Sequence, residues 1–161
     1  MTLTEEKIIV EPQLFELIAS LTRSPPSVTQ RAVRAVFVEG RESADVLSDP
    51  EFKEDLSKQQ IWQGKKIFTQ NYEDIMTAYG KGGNNPNAAT LMQFTLLTSY
   101  SRLQNKKIIQ ALRDYLVDGK SILDASVEHG FPVSTIMIRL EKMKRNHEVL
   151  CDYFNKRKSS C

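Results

Sequence analysis

The sequence predicts an all-α protein built from two similar helical helix-turn-helix domains in tandem, a covalent pseudo-dimer. Three observations lead there. Apolar residues recur at three- and four-residue spacings along most of the chain. No period-two alternation persists and no Asn-Gly hairpin signal occurs, so strands are not expected. Finally, one segment is present twice. Shifted by 79 positions, Phe15, Leu17, Ser20, Arg23, Ala32, Arg34, Val38, Gly40 and Asp45 fall on Phe94, Leu96, Ser99, Arg102, Ala111, Arg113, Val117, Gly119 and Asp124. That is nine identities in 31 gapless positions, where chance gives roughly 2 at ordinary residue frequencies.

The first copy is expected to open with a helix over about 11–22, whose apolar side is Leu14, Leu17, Ile18 and Leu21. Ser24-Pro25-Pro26-Ser27 ends it, because proline cannot continue a helix interior, and Ser27 is placed to cap the next helix. That helix, about 28–38, shows Ala32, Val33, Val36 and Phe37 on one side and is closed by Gly40. Residues 77–90 (TAYGKGGNNPNAAT) form the expected linker, since a run of Gly, Asn and Pro sustains neither helix nor strand. The second copy repeats the scheme with helices over about 90–102 and 106–117, the latter carrying Ile108, Ile109, Leu112 and Leu116 and closed by Gly119. The expected domains are therefore residues 11–76, a diverged copy, and residues 91–156.

Residues 121–143 fit a helix-turn-helix. Ala125 and Ser126 are small where two helices must cross. Gly130 falls where the turn needs a left-handed residue, Phe131 is the expected buried turn residue, and Ile136 and Leu140 face the second helix inward. The first copy has a counterpart over residues 55–67, in which Leu56 matches Phe131 and Ile61 matches Ile136. The offset there is 75, which a four-residue insertion around Asp49-Pro50-Glu51-Phe52 explains. Ser57 is the expected cap of this second helix.

On these second helices the candidate DNA-binding residues are Lys58, Gln59, Gln60, Gln63 and Lys66 in the first copy, and Val133, Ser134, Thr135, Arg139 and Lys142 in the second. Glutamine pairs bidentately with adenine, and lysine reaches guanine or phosphate. Met137 and Ile138 share the second exposed side, and Lys144 and Arg145 follow as phosphate candidates. Arg34, Arg113, Lys106 and Lys107 are candidate backbone contacts, which position a protein rather than specify a sequence.

Charge is unevenly spread. The net charge is +2, yet residues 1–80 hold nine Lys/Arg against thirteen Asp/Glu (−4), and residues 81–161 hold thirteen against seven (+6). The second half is the more natural polyanion binder. Asp49, Glu51, Glu54 and Asp55 flank the first reading helix and oppose phosphate there. No apolar run approaches the ~20 residues of a membrane span, and Met1–Val10 has no signal-peptide core. The expected location is the bacterial cytoplasm, at the nucleoid. Cys151 and Cys161 make neither a disulfide framework nor a zinc site and read as incidental thiols. His129 and His147 lack carboxylate or cysteine partners at ligand spacing. Gly80-Lys81-Gly82-Gly83 is not followed by the Lys-Ser/Thr of a phosphate loop, and no nucleophile–base pair stands out. No enzyme, catalytic residue, metal or cofactor is expected.

The stretch from Phe94 to Ser121, and Ala111–Ser121 (ALRDYLVDGKS) above all, resembles the PapB/FocB regulators of adhesin (fimbrial) operons. The helix-turn-helix spacing after it is also similar to the TrfB/KorA plasmid repressors. The resemblance covers residues 91–154 well and residues 11–75 weakly, through the repeat. It implies a bacterial, mostly helical, sequence-selective regulator of a fimbrial or plasmid-transfer operon. The implied partner is double-stranded promoter DNA, AT-rich in such systems, with self-association along it. The residues to which family DNA contacts carry over are Ser134, Thr135 and Arg139. PapB-like proteins are about one copy long, so the tandem arrangement departs from them. A second reading from the residues is a helical protein-interaction adaptor that retains the fold without binding DNA, which the acidic first half favours.

Overall fold

Eight α-helices, and no strand, make up the described residues 7–159 of the computed structural model. In order they are α1 (Pro12–Leu21), α2 (Val28–Phe37), α3 (Ser43–Ser48), α4 (Lys58–Tyr79), α5 (Leu91–Ser101), α6 (Lys106–Leu116), α7 (Ile122–His129) and α8 (Val133–Ser159). The chain divides into two compact units, Met1–Glu73 and Asp74–Cys161, and the division falls inside α4.

In the first unit, α1 starts at Pro12, whose fixed φ suits the first turn and whose missing N–H costs nothing there. It buries Leu14, Phe15, Ile18 and Leu21. The Ser27 hydroxyl caps α2 by accepting from the Gln30 amide at 3.2 Å. The short helix α3 and the turns after it were not legible in the sequence. At the offset of 79, α3 falls on the start of α7; the four-residue insertion lies in the turns after α3, which Phe52 anchors, 3% exposed. Ser57 caps α4 reciprocally: its hydroxyl accepts from the Gln60 amide (3.1 Å) and its own amide donates to Gln60 Oε1 (2.8 Å). Phe15, Phe37 and Phe68 meet in the core, with ring centroids 5.0 and 4.6 Å apart. Gly64 lets α4 approach α2 closely, since a Cβ there would lie 2.7 Å from Val33 Cγ2.

The second unit is organised around α8. Its inner stripe of Ile136, Leu140, Met143, His147, Leu150, Cys151 and Phe154 is buried. Thr90 and Gln93 form a capping box at α5, the Asn105 side chain caps α6, and Ser121 caps α7. Gly130 closes α7 at φ 72°, the left-handed conformation expected from the sequence. Phe131 is half-buried rather than buried, and the turn is closed through its backbone: the Ser126 hydroxyl donates to the Phe131 carbonyl.

The expected linker also differs. Thr77, Ala78 and Tyr79 continue α4, and Tyr79 is fully buried. Residues 80–89, non-helical as expected, are clasped to α8. The Asn84 amide donates to Asn155 Oδ1 (3.0 Å) while Asn155 Nδ2 donates to the Asn84 carbonyl (2.9 Å). His147 Nε2 lies 2.8 Å from the Asn85 carbonyl and its Nδ1 lies 2.8 Å from the Tyr79 hydroxyl. Composition marks such a segment as unable to form helix, but polar side chains on a neighbouring helix can still fix it.

Several features recur between the units at the offset of 79. The Val10 amide donates to the Phe37 carbonyl (2.8 Å) and the Ala89 amide to the Leu116 carbonyl (3.0 Å). The Arg41 amide donates to the Ala35 carbonyl (3.1 Å) and the Lys120 amide to the Asp114 carbonyl (2.8 Å). Arg23 and Arg102 both take a left-handed φ, 54° and 52°, as do Gly40 and Gly119 at 72° and 78°. Even an ion pair recurs: Arg41–Asp49 and Lys120–Glu128, both at 2.8 Å. At the offset of 75, the starts of α4 and α8 align in sequence, buried Ile61 and Phe68 falling on buried Ile136 and Met143.

Candidate nucleic-acid interface

A helix that reads a groove must keep its fold through one side and offer the other to solvent. At the start of α4, Ile61 and Phe68 turn inward and leave Lys58, Gln59, Gln60, Trp62, Gln63 and Lys66 exposed. Gln60 is committed in part, because its oxygen accepts from Ser57 in the cap. The Lys66 ammonium sits 5.1 Å from the centroid of the Trp62 ring, a cation–π pair that holds both. Gln59 and Gln63 lie four residues apart on one side of the helix and offer amide groups of the kind that pair with adenine.

The corresponding stretch of α8 has a different chemistry. Ser134, Met137, Ile138, Arg139 and Lys142 are exposed, whereas Val133 and Thr135 are half-buried. Ile138 is 68% exposed and Met137 51%, so the middle of this candidate side is apolar. Lys106 and Lys107, at the start of α6, are exposed. Lys144 is half-buried, and Arg145 lies 3.6 Å from Glu141 one turn back. Arg113 is half-buried, with its Nε enclosed and without a hydrogen-bond partner.

In both units some cations near these helices are already engaged by carboxylates. In the first, Arg34 pairs with Glu16 (3.2 Å) and Glu39 (3.9 Å), and Arg31 with Glu51 (3.3 Å). In the second, Lys120 pairs with Glu128 (2.8 Å) and reaches Asp114 (3.6 Å). By unit, residues 1–73 hold nine basic against twelve acidic side chains and residues 74–161 thirteen against eight, that is −3 and +5.

A charged cluster braces α6 and α7. Asp114, almost fully buried, accepts from His129 Nε2 (2.6 Å) and Gln110 Nε2 (3.0 Å). Burial pushes the Asp114 carboxyl up, but the hydrogen bonds from His129 and Gln110, with the nearby Lys120 charge, outweigh it and hold it below the usual carboxylate range. The spacing argument that His129 has no carboxylate partner is corrected here: the partner is 15 residues away, brought in by the packing of α7 on α6. Asp114, Glu128 and His129 are close enough to share a cation. The Lys120 ammonium already supplies a positive charge at that place. His147 likewise has a cysteine neighbour, Cys151 Sγ at 3.7 Å, one turn along α8. Burial raises the Cys151 thiol to about 11, so it is a poor thiolate near neutral pH. Cys161 and residues 1–6 lie outside the described residues. Among the described residues no helix is long and apolar enough to cross a membrane.

Residues 69–155 match the family of adhesin biosynthesis transcription regulatory proteins, PapB. The matched region is more than half of the chain and runs from within α4 nearly to the end of α8. The chain belongs to that family. PapB proteins are transcription regulators, not enzymes, and α7, the turn at Gly130 and α8 as far as residue 155 lie inside the matched region. No curated protein and no solved structure matches the chain.

Proposed function

We propose that this PapB-family chain is a sequence-selective DNA-binding regulator that acts in the bacterial cytoplasm on the promoter of a fimbrial or plasmid-transfer operon. The observation that carries the reading is the side of α8 left open by the turn at Gly130: Ser134, Arg139 and Lys142 are exposed on a helix whose opposite stripe is buried. Such a helix can enter a major groove without unfolding. The first unit is read as a second copy of the same motif. The recurring hydrogen bonds, left-handed arginines and ion pair support descent of the two units from one duplicated segment. Lys58, Gln59, Gln63 and Lys66 are its contact residues, with Gln60 restricted by the cap. The adaptor reading draws support from one observation in the first unit: Arg31 and Arg34 are already paired with the unit's own carboxylates.

The test is equilibrium binding to the promoter of the chain's own operon across a salt series. Phosphate contacts release counterions, so log K should fall with log salt at about 0.9 per contact. Arg139→Ala should weaken specific binding by about 1–3 kcal/mol if that residue reads a base. Affinity unchanged by salt, or no binding to any promoter duplex, removes the proposal in favour of an adaptor.

A further inference from the structure

We infer that the two units read unlike DNA sequences, so that the target is a two-part duplex element without inverted-repeat symmetry. The inference rests on the DNA-binding reading above and adds to it the class of site recognised. A homodimer presents two identical reading helices related by a two-fold axis, and its operator mirrors that symmetry. Here the scaffold behind each reader is alike while the readers are not. Behind them, the amide-to-carbonyl bonds Val10–Phe37 and Ala89–Leu116 are equivalent, as are the Arg41–Asp49 and Lys120–Glu128 ion pairs.

In front, every exposed position differs in chemistry. At the offset of 75, Lys58 and Gln59 correspond to Val133 and Ser134, Trp62 and Gln63 to Met137 and Ile138, and Lys66 to Glu141. Amides on α4 suit the donor–acceptor pattern of adenine. The aliphatic pair Met137–Ile138 on α8 offers no hydrogen bond and instead suits apolar contact with a thymine methyl group. No symmetry operation converts one set of side chains into the other, so an inverted repeat would leave at least one half mismatched.

The experiment is selection of the full-length chain against a randomised duplex pool, followed by sequencing. It is repeated with Gln59→Ala/Gln63→Ala and with Ser134→Ala/Ile138→Ala. All four positions are exposed, and thermal melts of both variants verify that the fold is kept. The expected outcome is two enriched blocks that are not reverse complements. The α4 variant should lose about tenfold in preference at one block only, and the α8 variant should relax the other. An inverted repeat, or an α4 variant that changes neither block, overturns the inference while leaving DNA binding intact. Absence of any enriched sequence overturns the DNA-binding reading itself.

Discussion

Asp114 shows how a buried charge is kept. Its carboxylate is enclosed between α6 and α7, where burial alone favours the neutral acid, yet His129, Gln110 and Lys120 hold it ionised. A carboxyl depressed in the folded state contributes stability above its unfolded value, about pH 4, and loses it as the pH falls through the depressed one. Asp114→Asn should therefore cost about 1–3 kcal/mol at pH 7, and urea melts at pH 7 and below about pH 4 should show a smaller gap between wild type and variant at the lower pH. A gap of equal size at both pH values refutes this account. Gly64 is constrained by space instead. Alanine is favoured over glycine in a helix by about 1 kcal/mol, but the added Cβ would press on Val33 Cγ2 at 2.7 Å, and a β-branched side chain in a helix has little rotamer freedom to yield. Gly64→Ala is expected to lower stability by about 1–2 kcal/mol, read as a shift in the urea midpoint; a more stable variant means that Val33 moves aside.

At the level of elements, the turn between α7 and α8 depends on Gly130. Nothing lies within 4 Å of a Cβ placed there, so substitution acts through the backbone alone. Gly130→Ala should cost about 1–2 kcal/mol and Gly130→Asn less, since asparagine tolerates the left-handed region. Equal losses in thermal melts would point to a steric cause. This turn was readable in advance because glycine, the small pair Ala125-Ser126 and the inward Ile136 and Leu140 stand at fixed spacings. The helices α1, α2, α5 and α6 were readable for the same reason, through caps and apolar periodicity, to within a residue or so at each end. Helix α3 was not, because six residues hold fewer than two turns of pattern. The clasp at residues 80–89 was also hidden. His147 reaches Asn85 across 62 residues, and nothing local to either announces the contact.

For the whole molecule, a net charge of +2 conceals two opposite balances, −3 and +5. On the proposed reading, attraction to phosphate would belong mainly to the second unit. Lys106→Ala and Lys142→Ala should each lower the slope of log K against log salt by about 0.9, whereas Arg31→Ala, whose guanidinium is already paired with Glu51, should leave it unchanged. A slope that responds to Arg31 and not to the lysines would move the DNA-anchoring role to the first unit. Eight of the ten candidate positions were legible as exposed, while Val133 and Thr135 are half-buried. The site's internal engagements were not legible: the Gln60 cap, the Lys66–Trp62 stack and the paired arginines each depend on side-chain directions that spacing does not encode. The Asp114–His129 pair lies beyond the reach of motif spacing for the same reason.

Helix α8 runs for 27 residues, about 40 Å of rod at 1.5 Å per residue. On the proposed reading, only its first ten or so residues would carry contact positions, while the buried stripe from Ile136 to Phe154 secures the rod. Specificity and foldedness are thereby assigned to opposite sides of one element. The outward positions 134, 137, 138 and 141 can drift, or be randomised in a library, at small cost in stability, since exposed substitutions usually lie within about 0.5 kcal/mol. An ancestral regulator of this design could change its target promoter by a few point mutations without passing through an unfolded intermediate, which makes the helix as much a substrate for evolutionary retargeting as a reader of any one site.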